Sequence, residues 1–125
     1  MNEFLFKQET YEIIGLCMEV HRILGNGFSE IVYKDAVTIE AKFREFAIER
    51  EKKFEIVYKE QTLPHHFFAD FVFFDEIIVE VKAIDKEIND EHIAQTLNYL
   101  KISDCRVGLI INFGRKSLEY KRLVF

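Results

Sequence analysis

The chain has 125 residues, one proline, five glycines and a net charge of −5. That is room for one domain of ordinary size, with half its residues apolar and no low-complexity tract, which excludes a linker or a disordered chain. The acidic balance excludes a protein that coats duplex nucleic acid by charge alone, because such binding comes from Lys and Arg neutralising phosphates. No apolar run approaches the ~18 residues of a membrane span. The segment Met1 to Glu12 carries Glu3, Glu9 and Glu12 and no long apolar stretch, so it does not read as a signal peptide. The expected compartment is the cytoplasm, with Cys17 and Cys105 as buried, reduced thiols rather than a disulfide framework.

The first element reads as a helix. Ile13, Leu16, Cys17, Val20 and Leu24 form one apolar stripe, which ends at Gly25-Asn26-Gly27, a stretch able to take positive φ. Ser29 is the expected N-cap of a second helix, with Val32, Ala36, Ile39, Phe43 and Phe46 at helical spacing and Glu30 and Tyr33 on a face beside them. From Glu49 the period shortens to two: Phe54, Ile56 and Tyr58 alternate with polar neighbours and predict a strand. Gln61-Thr62-Leu63-Pro64 predicts the turn after it. Two apolar runs, His66 to Phe74 and Ile77 to Ala83, flank Asp75-Glu76 and predict a hairpin. Asn89 or Asp90 caps a third helix with Ile93, Leu97 and Leu100 inward. Arg106 to Asn112 reads as a buried strand and Leu118 to Phe125 as an edge strand. The order is ααβββαββ, which packs as one domain over residues 1–125, an α/β (α+β) mixed sheet flanked by helices.

The hairpin carries charges where a core strand should be apolar. Asp70 lies inside His-Phe-Phe-Ala-Asp-Phe-Val-Phe-Phe, and Glu80 and Lys82 lie inside Ile-Ile-Val-Glu-Val-Lys-Ala. Such residues are almost never fully buried unless paired or bound to something. A two-residue loop would set Asp70 against Val81. A three-residue loop, Phe74 to Glu76, sets it against Glu80 and brings both carboxylates to one face, and this is the loop we expect. Two carboxylates that close repel each other unless a cation joins them, and oxygen donors suit Mg²⁺ or Mn²⁺. Lys82, next along that face, would stand near any anion such an ion recruits. Glu-x-Lys also occurs at Glu40, Glu51 and Glu119, in more polar surroundings that read as solvated charge. On spacing alone, a salt-bridged cluster at a sheet end and a metal site both remain open.

Gln95 and Tyr99 stand one helical turn apart with His92 on the same side, which is either a polar helix face or part of the same site. His65 and His66 are adjacent in a strand and point to opposite faces, which makes them poor joint ligands. There is no Gly-rich phosphate loop, no zinc spacing of Cys and His, and no Ser-His-Asp arrangement.

These residues resemble a known family. Leu-Gly-Asn-Gly-Phe-Ser-Glu-Ile-Val-Tyr, residues 24–33, is similar to the motif of the GxxExxY family, on Gly27, Glu30 and Tyr33. The likeness runs on through Phe-Ala-Asp (68–70), Ile-Val-Glu-Val-Lys-Ala (78–83), Gln-Thr-Leu-Asn-Tyr-Leu-Lys (95–101), Val-Gly-Leu-Ile-Ile-Asn-Phe-Gly (107–114) and Ser-Leu-Glu-Tyr-Lys-Arg (117–122). That family resembles the PD-(D/E)XK nucleases, so the resemblance implies a restriction-endonuclease-like core. It assigns Glu30 as the helix acid, Asp70 as the motif Asp, Glu80 and Lys82 as Glu-x-Lys, and Gln95 and Tyr99 as the Gln-xxx-Tyr of some superfamily members. Ala69 stands where the name of the superfamily has Pro, a variable position.

Two readings follow. In the first, Glu30, Asp70 and Glu80, with the Val81 carbonyl, hold one or two Mg²⁺ (or Mn²⁺) ions. A metal-activated water then hydrolyses a phosphodiester of DNA or RNA, Lys82 orients that water, Gln95 contacts the nucleic-acid backbone or Lys82, and Tyr99 supports it. In the second, the domain is a non-catalytic nuclease-like module that binds nucleic acid or a protein. The thirteen Phe residues add the expectation of a homodimer.

Overall fold

The structure is a computed structural model and describes residues 5–125. Met1–Phe4, which open the segment read above as lacking a signal peptide, lie outside it. The described chain follows the expected order: α1 (Lys7–Leu24), α2 (Glu30–Phe43), β1 (Ile48–Tyr58), β2 (Gln61–Phe73), β3 (Ile77–Lys82), α3 (Asp90–Ile102), β4 (Val107–Asn112) and β5 (Glu119–Val124). The strands form one five-stranded sheet in sequence order. Every pair is antiparallel except β3 and β4, which α3 joins as a parallel crossover. β1 and β5 are therefore the edges, and β3 and β4 lie deepest. Their near-continuous apolar sequences match burial on both faces.

Helices α1 and α2 cover one face of the sheet. Ile13, Leu16, Cys17 and Val20 of α1 and Tyr33, Val37 and Ala41 of α2 meet Phe71, Phe73, Val79, Val81, Leu109 and Ile111 there. On the opposite face, Leu100 of α3 packs with Phe67, Ala69, Val72 and Ile78. Gly108 lets α3 lie close on β4: a Cβ there would stand 3.1 Å from the Thr96 methyl. Cys17 and Cys105 are both free and buried, and burial pushes the Cys17 thiol up to about 12.

The structure corrects three local expectations. The buried face of α2 is Tyr33, Val37 and Ala41, whereas Ile39 and Phe43 of the predicted stripe are 60% and 80% exposed. The helix is rotated so that its aromatic anchor, Tyr33, enters the core. Ser29 does occupy the N-cap, but its side chain makes no capping bond. The turn between β1 and β2 is Lys59-Glu60, both at positive φ, and not Gln61–Pro64. A two-residue turn of that hand matches the twist of the strands, but its usual Asn-Gly signal is missing. Pro64 instead sits inside β2, where the register with β1 slips between Glu55 and Val57. Such an irregularity tolerates a residue with no N–H to donate. Helix α3 is capped by Asn89, which accepts from the His92 N–H at 2.9 Å while His92 Nδ1 accepts from the Asn89 N–H at 3.2 Å. His92 thus belongs to a capping box.

Beyond the parallel pair β3–β4 the chain is tied by one amide. Asn112 is fully buried. Its Oδ1 accepts from the N–H groups of Ile84 and Gly114, each at 3.0 Å, and its Nδ2 donates to the Lys86 carbonyl at 3.0 Å and to Glu119 at 3.1 Å. Gly114 runs so close to Ile84 that a Cβ would fall 2.3 Å from its backbone. This knot fixes the chain just past Lys82. Replacing Asn112 by Ala leaves several buried polar groups without partners, each worth about 1–3 kcal/mol. Denaturant melts should show Asn112→Ala less stable by about 2–4 kcal/mol. A change within about 0.5 kcal/mol would mean the knot is not needed.

Candidate active site

The hairpin of β2 and β3 pairs Phe73 with Ile77, Val72 with Ile78 and Phe71 with Val79. Its loop is the expected Phe74-Asp75-Glu76, with Phe74 and Asp75 at positive φ. The next pair in this register would be Asp70 with Glu80, and there the backbone ladder gives way to side chains. Glu80 Oε2 accepts from the Asp70 N–H at 2.8 Å, and Asp70 Oδ2 accepts from the Val81 N–H at 2.8 Å. Each acid thus serves the backbone of the opposite strand, and the two carboxylates are held side by side where the strands part.

The neighbouring pair β1–β2 is distorted at the same level. Glu51, which lies opposite Asp70 between the pairs Arg50–Phe71 and Lys52–Ala69, has a φ of 54°. A left-handed conformation is unfavourable for a residue with a side chain. Across this level the packing of β2 changes face: Phe67 and Ala69 lie toward α3, and Phe71 and Phe73 toward α1 and α2. Asp70 sits at the crossover.

Glu80 is 5% exposed. Burial, and then the charge of Asp70, push its carboxyl from the ordinary 4.5 up to about 8, against the opposing pull of the Asp70 N–H, Lys82 and Lys34. Asp70 has a cation of its own. Lys34 of α2 donates from Nζ to Asp70 Oδ1 at 3.0 Å and also to Glu51. Burial works against the Lys34 charge, but the two carboxylates outweigh it and raise its pKa.

Glu30 opens α2, one turn before Lys34 on the same helix face. Its pKa is raised by burial and by Asp70, while Lys82 and Lys34 pull it down. Its placement depends on Tyr33. The Tyr33 hydroxyl donates to the Gly25 carbonyl at 2.6 Å and accepts from the Phe28 N–H at 3.3 Å, and its buried ring stacks on Phe113 at 4.6 Å. Gly27, between those two anchors, has a φ of 111°, which a side chain would not adopt easily. Gly27, Glu30 and Tyr33 thus act as one unit: a loop that needs glycine, a tyrosine that pins it, and the acid it aims.

Lys82 ends β3 beside Glu80 and Glu30, which both feel its charge, yet among the described residues no carboxylate lies within 4 Å of it. Gln95 is exposed on α3, one helical turn before Tyr99. Tyr99 stacks on Phe67 with centroids 3.9 Å apart, and its pKa is raised by burial and by the charges of Glu80 and Asp70. His65 and His66 are both exposed, and the His66 ring meets Phe68 edge-on at 5.1 Å.

The donor set of Asp70 and Glu80 suits a hard divalent ion: oxygen only, held close, with burial and the Asp70 charge pushing the Glu80 carboxyl up to about 8. Among the described residues no three acidic, His or Cys side chains are gathered closely enough to hold an ion as they stand. Glu30 stands beside the pair rather than as a third assembled ligand.

The sequence reading missed two members of this cluster. The signal for Lys34 is a Lys one turn after Glu30, between the core positions Tyr33 and Val37. The polar surroundings of Glu51 and Glu119 predict solvated charge, but Glu51 bonds Lys34, and Glu119 accepts from the Ile88 N–H and from Asn112. Glu40 does lie in a surface pair, with Arg44.

The mixed sheet thus brings together two acids at the parting of a hairpin, a lysine two residues on and an acid from a helix. A family model of the PD-(D/E)XK nuclease superfamily matches residues 7–123. The chain belongs to that superfamily. No curated protein and no solved structure gives a significant match. Enzymes of the superfamily generally depend on divalent metal. No described helix is long and apolar enough to cross a membrane.

The Glu80 carboxyl gives a testable pH dependence. Folded and without metal, it keeps its proton up to about pH 8; unfolded, it loses it near 4.5. The native state therefore binds more protons across this window. Its stability is full below the ordinary carboxylate range, falls as pH rises, and levels off above about pH 8. In chelator, denaturant melts on either side of the window should show this fall in the wild type and a flatter profile in Glu80→Gln. Identical profiles would assign the proton to another group.

Proposed function

We propose that the chain is a divalent-metal-dependent nuclease of the GxxExxY kind, hydrolysing phosphodiester bonds of DNA or RNA with Mg²⁺ or Mn²⁺. The observation that carries this reading is the crossed pair of hydrogen bonds between Asp70 and Glu80 at the parting of β2 and β3. Two carboxylates this close repel each other, and a bound cation offsets that cost beyond what their backbone hydrogen bonds supply. Asp70 and Glu80 would hold the ion, with Glu30 and the Val81 carbonyl completing its protein ligands. The ion, when bound, would activate the attacking water and offset charge on the phosphate.

The remaining roles belong to the chain's own groups. Lys82 has an ammonium with no carboxylate within 4 Å among the described residues, next to Glu80 on its strand. It would orient the attacking water and stabilise the charge that develops on the phosphate oxygens. Gln95 would contact the nucleic-acid backbone or Lys82 from α3, supported by Tyr99, which is fixed by its stack on Phe67. Gly27 and Tyr33 hold the loop that aims Glu30. The local net charge is negative without metal, so substrate would follow the cation into the site rather than precede it.

The test is incubation with labelled single-stranded DNA, double-stranded DNA and RNA, in Mg²⁺, in Mn²⁺ and in chelator. Cleavage should require the metal. Lys82→Ala should lower it by about 10²-fold or more while the fold and metal uptake persist. Undiminished cleavage by Lys82→Ala would remove Lys82 from the mechanism. Failure of the wild type to cut any of the three substrates in either metal would leave a nuclease-like module that binds without cutting.

A further inference from the structure

The acid cluster contains more cations than the nuclease plan calls for. Its carboxylates are Glu30, Glu51, Asp70 and Glu80, and its ammonium groups are Lys34 and Lys82. The two lysines are not equivalent. Lys82 has no carboxylate within 4 Å among the described residues, whereas Lys34 is clamped. Lys34 is 7% exposed, its ammonium is bonded to both Asp70 Oδ1 and Glu51, and its own carbonyl accepts from the Thr38 hydroxyl on α2. Glu51 reaches it from a backbone conformation that a side chain disfavours. The Asp70 carboxylate is thereby divided. Oδ2 belongs to the Glu80 side, on the Val81 N–H, and Oδ1 belongs to Lys34.

A second divalent ion in this cluster would have to use Oδ1 together with Glu51 or Glu30. That place is filled by an ammonium. Displacing it would leave a charged lysine without its carboxylate partners in a site with little access to water, which is strongly unfavourable. We propose that Lys34 is a positioning residue that stands in for one cation of the cluster, so that the site takes a single divalent ion, on the Glu80 side of Asp70. This inference rests on the metal-dependent reading above and narrows it from one or two ions to one.

The test counts ions rather than turnover. The full chain, freed of metal, is titrated with Mn²⁺ by calorimetry and by the paramagnetic signal of free Mn²⁺, with circular dichroism to follow the fold. The variants are Lys34→Gln, which removes the charge and keeps an amide donor on a shorter side chain, and Lys34→Met, which removes charge and donor together. The wild type should bind one Mn²⁺ per chain and each variant two. Two ions in the wild type, or one in both folded variants, would overturn the proposal and leave the nuclease reading standing. If both variants unfold and Mn²⁺ does not restore them, Lys34 is a structural cation and the proposal falls. No Mn²⁺ bound by the wild type or by either variant would overturn the metal-dependent reading itself.

Discussion

Two neighbouring strands cannot part inside a sheet without stranding backbone N–H groups, and a buried N–H without a partner is costly. At Asp70 and Glu80 this chain parts them and pairs the freed groups with carboxylates: Glu80 takes the Asp70 N–H and Asp70 takes the Val81 N–H. The acids are therefore part of the fold before they are part of any chemistry. The same arrangement that opens a gap in the ladder fills its mouth with negative charge. It also means that alanine at either position removes a hydrogen-bond acceptor along with a charge. Asn and Gln, which keep an acceptor oxygen, separate the two roles.

The rest of the site is delivered to this gap from three directions, each by a contact distant from the charge. The N-terminus of α2 is set by the Tyr33 hydroxyl on the Gly25–Phe28 loop and by the stack of Tyr33 on Phe113. The end of β3 is set by Asn112 and the close passage of Gly114 past Ile84. Tyr99, one turn after Gln95 on α3, is set by its stack on Phe67. Phe113 and Asn112 are adjacent, so the end of β4 supports both the helix acid and the hairpin lysine. One buried strand thus registers elements that are far apart in sequence.

The element order and the hairpin loop were readable from the chain because they rest on local periodicity and on the placement of charge in apolar runs. A three-residue loop was required to bring Asp70 against Glu80, and that register is present. What escaped the reading depends on tertiary packing. The rotation of α2 follows from where Tyr33 stacks, and an amphipathic pattern with apolar residues on two sides, Ile39 and Phe43 as well as Val37 and Ala41, does not choose between them. The Lys59-Glu60 turn adopts a conformation that its residues do not announce. Lys34 and Glu51 lie seventeen residues apart and meet only because β1 distorts opposite Asp70. The role of Glu51 is thus a property of the assembled sheet and not of its own Glu-x-Lys stretch.

The lengths of the strands have a mechanical consequence. β2 runs for 13 residues, but β3 pairs with only three of them, Phe71 to Phe73. Beyond Asp70, β2 has only β1 as a strand partner, and β1 is itself a sheet edge. The two strands project as an arm, braced on one side by Phe67 against Tyr99. An arm of this kind bends at its root, where its neighbour leaves it. Here the root is the level of Glu51 and Asp70. A bend at that root would move the carboxylate that Lys34 and Val81 share, and so couple the Tyr58–Gln61 tip to Asp70 as an arm is coupled to its hinge.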